Sequence, residues 1–230
     1  KLLDVESEGY TGQHIGDTGG DGGQPLQRYI TGYAPKTFYV YQQVYDNDGK
    51  PIEGAYVDRN KDGVVDEGDL YLYKKPAADV LMGFNSKVTY KNWDFGFNGR
   101  VSLGNYVYNA VAANNAELST SSIYANSAFL VNKPTSAFET NFQSKRLLSD
   151  YYVQNASFLK IDNITVGYTL NNLFKNKLQA RVYATVQNPI VITKYDGLDP
   201  EVSASGDHEG IDYSFYPRPL TFMLGFNLNF

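Results

Sequence analysis

Five segments of this chain alternate apolar and polar residues with a period of two, and no other property of the sequence constrains its fold as tightly. The last is the clearest. In PLTFMLGFNLNF, residues 219–230, Leu220, Phe222, Leu224, Phe226, Leu228 and Phe230 fall on one side, with Thr221, Met223, Gly225, Asn227 and Asn229 on the other. A strand of this kind separates two different environments. The first segment, about 81–90, sets Met82, Phe84, Val88 and Tyr90 against Asn85, Lys87 and Thr89. A tight turn at Lys91 and Asn92 leads into the second, 93–104, where Trp93, Phe95, Phe97, Val101 and Leu103 oppose Asp94, Asn98, Arg100 and Ser102. The pair reads as a hairpin. In the third, 157–170, the apolar register moves from Leu159 and Ile161 to Ile164, Val166, Tyr168 and Leu170. A change of face by one residue within a strand is what a β-bulge produces. The fourth, 177–188, alternates Leu178, Ala180, Val182, Ala184 and Val186 with Gln179, Arg181, Tyr183, Thr185 and Gln187.

Connections between these segments alternate between short (91–92, 171–176) and long (105–156, 189–217). Residues 1–79 are expected to form a further loop region, rich in Gly, Asp and Tyr. Loops beyond about 15 residues are uncommon in compact domains and usually carry function. Short turns at one end of the strands and long loops at the other is the pattern of an outer-membrane barrel, with turns in the periplasm and loops outside. No run of about 18 apolar residues is present, so a membrane-spanning helix is excluded while a barrel is not. The 20 Tyr, 13 Phe and 21 Gly lean toward β structure. A net charge of −5 argues against a nucleic-acid surface. With no cysteine, disulfides, thiolate metal sites and Cys nucleophiles are excluded. The chain starts at Lys1 with neither an initiator Met nor a leader, which reads as a mature or truncated piece.

The competing architecture is a secreted, calcium-stabilised β-sandwich that binds carbohydrate or mediates adhesion, since sandwich strands also alternate. The polar faces here carry Asn, Arg, Gln, Thr and Gly rather than Lys and Glu, and aromatics such as Tyr90, Trp93, Tyr168 and Phe230 sit near strand ends. A wet lumen and interfacial girdles have that composition. Five strands cannot close a barrel, because the smallest have about eight and an open edge in lipid leaves backbone groups without partners. A barrel reading therefore requires a longer chain.

One motif points to specific chemistry. DRNKDGVVDEGD, residues 58–69, follows the spacing of a calcium loop: side-chain oxygens from Asp58, Asn60 and Asp62, a sharp turn at Gly63, the carbonyl of Val64, a water-mediated position at Asp66, and Asp69 in closing place. Hard oxygen donors on a tight turn are what Ca²⁺ requires. Asp replaces the usual closing Glu, as in dockerin-type loops, and the flanks read as extended. The expected role is a structural ion rather than a sensor. The alternative is a solvated acidic turn. His14 and His208, the only histidines, have no catalytic partners in the pattern, and Asp196, Asp199 and Glu201 lie before Gly or Pro or beside them, where Asp forms turns. Loop tyrosines, among them Tyr39, Tyr41, Tyr45, Tyr124, Tyr151 and Tyr213, have faces that can stack on sugars or peptides, or on each other.

The stretches YVDRNKDGVVDEGDLYLYKKPAADVLMGF, GNYVYNAV, SDYYVQNASFLKIDNITVGYTL, ARVYATVQNPIVITKYDGLDPEV and YPRPLTFMLGFNLNF, taken in order over residues 37–230, resemble successive C-terminal segments of SusC/RagA-type TonB-dependent outer-membrane transporters. The resemblance implies an all-β piece, about five C-terminal strands of a roughly 22-stranded transmembrane β-barrel with long extracellular loops. It implies an importer of oligosaccharides or peptides in the Gram-negative outer membrane, not an enzyme. Its partners would be the remainder of the barrel and its plug, a SusD-like surface lipoprotein as lid, TonB through an N-terminal part outside this sequence, and lipid. On that reading Asn98, Arg100, Arg181, Tyr183 and Gln187 face the lumen, the 58–69 loop is extracellular, the C-terminus is periplasmic, and Phe230 is the terminal aromatic read by the barrel-assembly machinery.

Overall fold

The computed structural model describes residues 12–20, 23–125, 129–173, 178–202 and 208–229. The chain divides into two compact units, one made of 1–77, 105–155 and 195–215, the other of 78–104, 156–194 and 216–230.

The second unit is a single antiparallel sheet of five strands: β1 (Val80–Tyr90), β2 (Trp93–Leu103), β3 (Phe158–Leu173), β4 (Leu178–Thr193) and β5 (Thr221–Asn229). The spatial order is β5-β4-β3-β2-β1, so sequence neighbours are sheet neighbours throughout. The sheet is open, with β1 and β5 at its edges. The hairpin between β1 and β2 pairs Tyr90 with Trp93 across two turn residues, and Lys91 takes a left-handed φ of 54°.

Cross-strand partners share a face, so the register sorts every side chain. Rows such as Val88–Phe95–Val166–Ala184–Leu224 and Tyr90–Trp93–Tyr168–Val182–Phe226 make one face apolar. Rows such as Asn85–Asn98–Asn163–Gln187–Thr221 make the other polar. The register shifts between Ile161 and Asn163, opposite Asn188 and Pro189 of β4. The strand expected to stop at 188 runs on to Thr193 because Pro189, which cannot donate to a ladder, is taken up in this bulge.

The described residues of the sheet unit leave the apolar face exposed. Phe222, Leu224 and Phe226 are 73, 87 and 70% exposed, and Val88, Trp93, Val182 and Ile192 are more than half or about half exposed. A β-sandwich would lay a second sheet on these residues, and the structure has none there among the described residues.

The first unit, expected as irregular loop, has a core of its own. Leu26, Phe38, Val40, Tyr108, Phe142, Tyr152 and Ile211 are buried together, drawn from all three segments. Its regular elements are short and include a four-stranded sheet from Gln13–Asp17, Pro25–Tyr29, Thr37–Val40 and Tyr71–Leu72, and a three-stranded one from Tyr106–Asn109, Val153–Asn155 and Ile211–Asp212. Strands of two to five residues show no readable alternation, which is why the sequence pattern concealed them. Polar ties fix the assembly: the Tyr108 hydroxyl donates to the Leu147 carbonyl at 2.6 Å, and Tyr71 donates to Asp150 at 2.7 Å.

Candidate functional site

The polar face of the five-stranded sheet brings together all five side chains expected to line a lumen. Asn98 and Gln187 lie in one cross-strand row, Arg100 in the next row toward Leu103, and Tyr183 and Arg181 in rows toward the short turns. The reason is the alternation itself, since residues at even spacing along β2 and β4 share a face and the pairing register aligns them.

Two ion pairs are built onto this face. Arg181 grips Asp94 with two parallel hydrogen bonds, Nε to Oδ1 at 2.8 Å and Nη2 to Oδ2 at 2.5 Å. Arg100 Nε reaches Asp162 Oδ1 at 3.1 Å, and Asp162 is the extra residue of β3 opposite β2 at the bulge. A guanidinium suits such pairing because its planar fork matches a carboxylate. The Arg181–Asp94 pair spans from β4 to β2 across β3, and it does so over Gly167, where a Cβ would stand 2.5 Å from both Arg181 Nη2 and Asp94 Oδ1. Gly225 has the same part under Tyr183, whose ring a Cβ would meet at 2.4 Å. Arg181 lies 4.8 Å from the centre of that ring. The Thr165 and Thr185 hydroxyls meet at 2.8 Å in the neighbouring row. Glycine on alternate strands thus lets a belt of charged and aromatic side chains lie flat against the sheet. The alternation placed Asp94 and Gly225 on the polar sides of their strands without giving either a contact, and Gly167 was not singled out. The available signal was an acidic residue at a polar position of one strand and an arginine at a polar position of another, and only the register shows that the two face each other.

The 58–69 loop is turned by its own side chains. Asp58 accepts from the amides of Lys61 (2.6 Å) and Gly63 (2.9 Å), Asn60 from Asp62, Asp62 from Val64, and Asp66 from Gly68. Gly63 sits at φ 89°, a conformation that glycine adopts without strain. Asp69 is different. Its Oδ1 accepts from Arg59 and Asn60 and its Oδ2 from Asp66, so both oxygens hold backbone amides. Its side chain is buried. The Asp66 amide, foremost, and those of Asn60 and Arg59 hold its carboxyl below the usual range against the opposing effect of burial.

Tested against calcium, the donor chemistry fits at Asp58, Asn60 and Asp62, with the Val64 carbonyl beside them. At the closing position Asp69 spends both oxygens on backbone amides of the loop. Among the described residues no three acidic or histidine side chains are gathered at one point. Phe230 lies outside the described residues.

Elsewhere, in the first unit, a cleft of about 470 Å³ is walled by Asn109, Glu139, Tyr151, Gln154, Asp196 and Asp212 with smaller neighbours. The loop tyrosines divide: Tyr41 stacks on Tyr56 at 4.8 Å, Tyr213 bonds Asp17, and Tyr39 is covered by Arg28, whose guanidinium is 3.7 Å from the ring centre. None of the described histidines is set up for catalysis: His14 contacts Arg28 at 3.0 Å, and His208 contacts the Tyr213 hydroxyl at 3.2 Å.

Comparison with known proteins gives a consistent result. No family model matches the chain. The TonB-dependent receptor SusC of Bacteroides thetaiotaomicron is 51% identical over 210 residues, covering 89% of this chain and 20% of the relative. The TonB-dependent receptor P3 of Formosa agariphila is 29% identical over 195 residues, covering 80% of this chain and 19% of its own length. Among solved structures, the RagAB peptide importer aligns in its closed-closed state with TM-score 0.65 at 18% identity, over 95% of this chain and 25% of that one. In its open-open state the values are 0.66 and 20%, over 89% and 23%. At that identity the structural match speaks for the fold alone. The chain spans about a fifth of the length of the curated relatives it matches.

Proposed function

Since the chain belongs to the SusC/RagA family of TonB-dependent receptors as one part of such a protein, we propose that it supplies a section of the wall of an outer-membrane import barrel, together with that section's outer loops. The observation that carries this reading is the uncovered apolar face continuous across all five strands, set back to back with a face bearing ion pairs. Soluble monomers rarely expose apolar patches beyond a few hundred Å². Hydrocarbon on one side and water on the other accounts for both faces at once. The open edges of β1 and β5 would then pair with the remaining strands of the barrel, since lipid leaves no other partner for their backbone groups.

In this arrangement the belt of Asp94, Arg181 and Tyr183, with Asn98, Arg100 and Gln187, lines the lumen. The cargo would be an oligosaccharide or a peptide, admitted under a SusD-like lipoprotein lid and driven by TonB acting on the rest of the receptor. The RagAB relatives are described as a peptide importer, and this supports the peptide side of that pair. A structural calcium in the 58–69 loop belongs to the same reading. It is supported by the oxygen spacing and by Gly63, and it would require Asp58, Asn60 and Asp62 to draw together around the ion.

Single-cysteine labelling of the full receptor in vesicles tests the assignment. Phe222→Cys and Leu224→Cys should be reached by a lipid-soluble quencher and not by a water-soluble maleimide. Thr185→Cys and Gln187→Cys should behave the opposite way. Equal aqueous labelling at all four positions would remove the membrane reading.

A further inference from the structure

The four-stranded sheet of the first unit has two unlike faces. On one, the cross-strand row Ile15–Gln27–Phe38 is buried. On the other, His14, Arg28 and Thr37 form the adjoining row, and Tyr39, two residues beyond Thr37, stands on the same side. Here the sheet borders a cleft of about 390 Å³, inside the size range of small-molecule sites. His14, Arg28, Tyr39 and Tyr41 line it, joined by Glu67 and Leu70 from the end of the 58–69 loop.

These walls are held in place by contacts of their own. The Arg28 guanidinium lies 3.7 Å from the centre of the Tyr39 ring, and its Nη2 is 3.0 Å from His14 Nε2. A guanidinium only donates, so Nε2 accepts and the imidazole proton sits on Nδ1. Lost hydration, foremost, and the Arg28 charge hold the His14 pKa below its ordinary value against the opposing charge of Glu67, which leaves the ring neutral at pH 7. Tyr41 donates its amide to the Leu148 carbonyl at 2.7 Å, accepts from the Asp150 amide at 3.0 Å, and stacks on Tyr56 at 4.8 Å. Glu67 rides on the short 3-10 turn Glu67–Asp69, which the side chains of Asp66 and Asp69 cap reciprocally.

The cleft therefore offers donors at Arg28 and His14, an acceptor at Glu67, and two half-buried tyrosine rings with their hydroxyls. Arg28 and Glu67 are the charged groups among its described lining residues, and their charges cancel. A ligand matched to this set carries closely spaced hydroxyls, an apolar ring face and no net charge. We propose that the cleft is a binding subsite for a neutral oligosaccharide, with one sugar ring against the tyrosine wall and its hydroxyls bonded by Glu67, Arg28 and His14. The inference rests on the reading of the chain as part of an importer, and it assigns the sugar class of cargo to this cleft. The subsite shares no residue with the belt around Arg181. It also gives the 58–69 loop a use, since the turn that closes the loop carries Glu67.

Isothermal titration of the full-length receptor in detergent tests it. The probes are maltotetraose, cellotetraose and mannotetraose as neutral sugars, tetragalacturonate as an acidic one, and N-acetyl-tetraalanine amide as a peptide. Neither TonB nor a membrane is present, so failure here leaves the barrel reading standing, and the cysteine labelling above addresses that reading separately. At least one neutral sugar should bind, about tenfold or more tighter than the acidic sugar and the peptide. Glu67→Gln, which keeps the shape and removes the carboxylate acceptor, should weaken that sugar about fivefold. Gln24→Trp places a bulky ring at the lining of the cleft and should weaken it about tenfold or more. Gln24 and Glu67 are both exposed, and Asp48→Asn, exposed and outside the cleft, should leave the affinity within about twofold. No binding by any neutral sugar, tighter binding of tetragalacturonate or the peptide, or sugar binding that either cleft variant leaves unchanged would each overturn the proposal.

Discussion

Gly167 shows how much one missing side chain can decide. The Arg181–Asp94 pair crosses β3 at this point, and a methyl group would stand 2.5 Å from an atom of each partner. Gly167→Ala is expected to cost about 1–3 kcal/mol by overpacking. It should also abolish the coupling between positions 94 and 181 in a double-mutant cycle, measured by urea unfolding of the receptor folded into lipid. Coupling that survives the alanine would mean the pair does not need the glycine. Asp69 is the corresponding residue in the first unit. With its folded pKa below the ordinary carboxylate value of about 3.9, it stabilises the loop fully above that pH. The contribution fades as pH falls through the depressed folded value. Hydrogen exchange at the Arg59, Asn60 and Asp66 amides should therefore lose protection on acidification below about pH 4, and Asp69→Ala should remove it at neutral pH. Protection unchanged in that variant would show that the loop closes by other means.

Strand β5 presents the same argument at the scale of an element. Leu224 and Asn227 lie on opposite faces of the strand, one in the apolar row with Ala184 and the other paired with Arg181 on the polar face. In the full receptor Leu224→Arg should destabilise the barrel by about 2–4 kcal/mol, as a lipid-facing cation near the bilayer midplane does. Asn227→Arg should cost much less. Comparable losses in a folding titration into lipid would contradict the assignment of faces. Strand content was legible because a sustained period of two is the strongest signal a β-sequence carries, and this holds for β2 as well as for β5. The bulge was legible as a change of face at Ile161 to Ile164. The continuation of β4 past Pro189 was not, because a proline normally marks the end of ladder pairing and only the partner strand reveals the bulge that accommodates it.

At the scale of the whole molecule, the chain has two cores of different kinds. The sheet leaves one apolar face exposed, while the first unit buries Phe38, Tyr108 and Ile211 within itself. Ile211→Ala should therefore cost about 2–5 kcal/mol by leaving a cavity. In the full receptor it should loosen exchange protection in 105–155 and 195–215 while sparing the amides of β2 and β3. If calcium occupies the 58–69 loop, its addition should raise the melting temperature of this same unit, and Asp58→Ala should cancel the rise. No shift at saturating calcium would leave the loop a self-closed acidic turn. The sequence alone determined the five long strands, their two faces and the family resemblance, because each is a local spacing along the chain. Tertiary structure decided the rest. The pairing of Asp94 with Arg181, the union of three distant segments into one unit and the cleft inside it all depend on contacts between residues far apart in sequence, for which no local period exists.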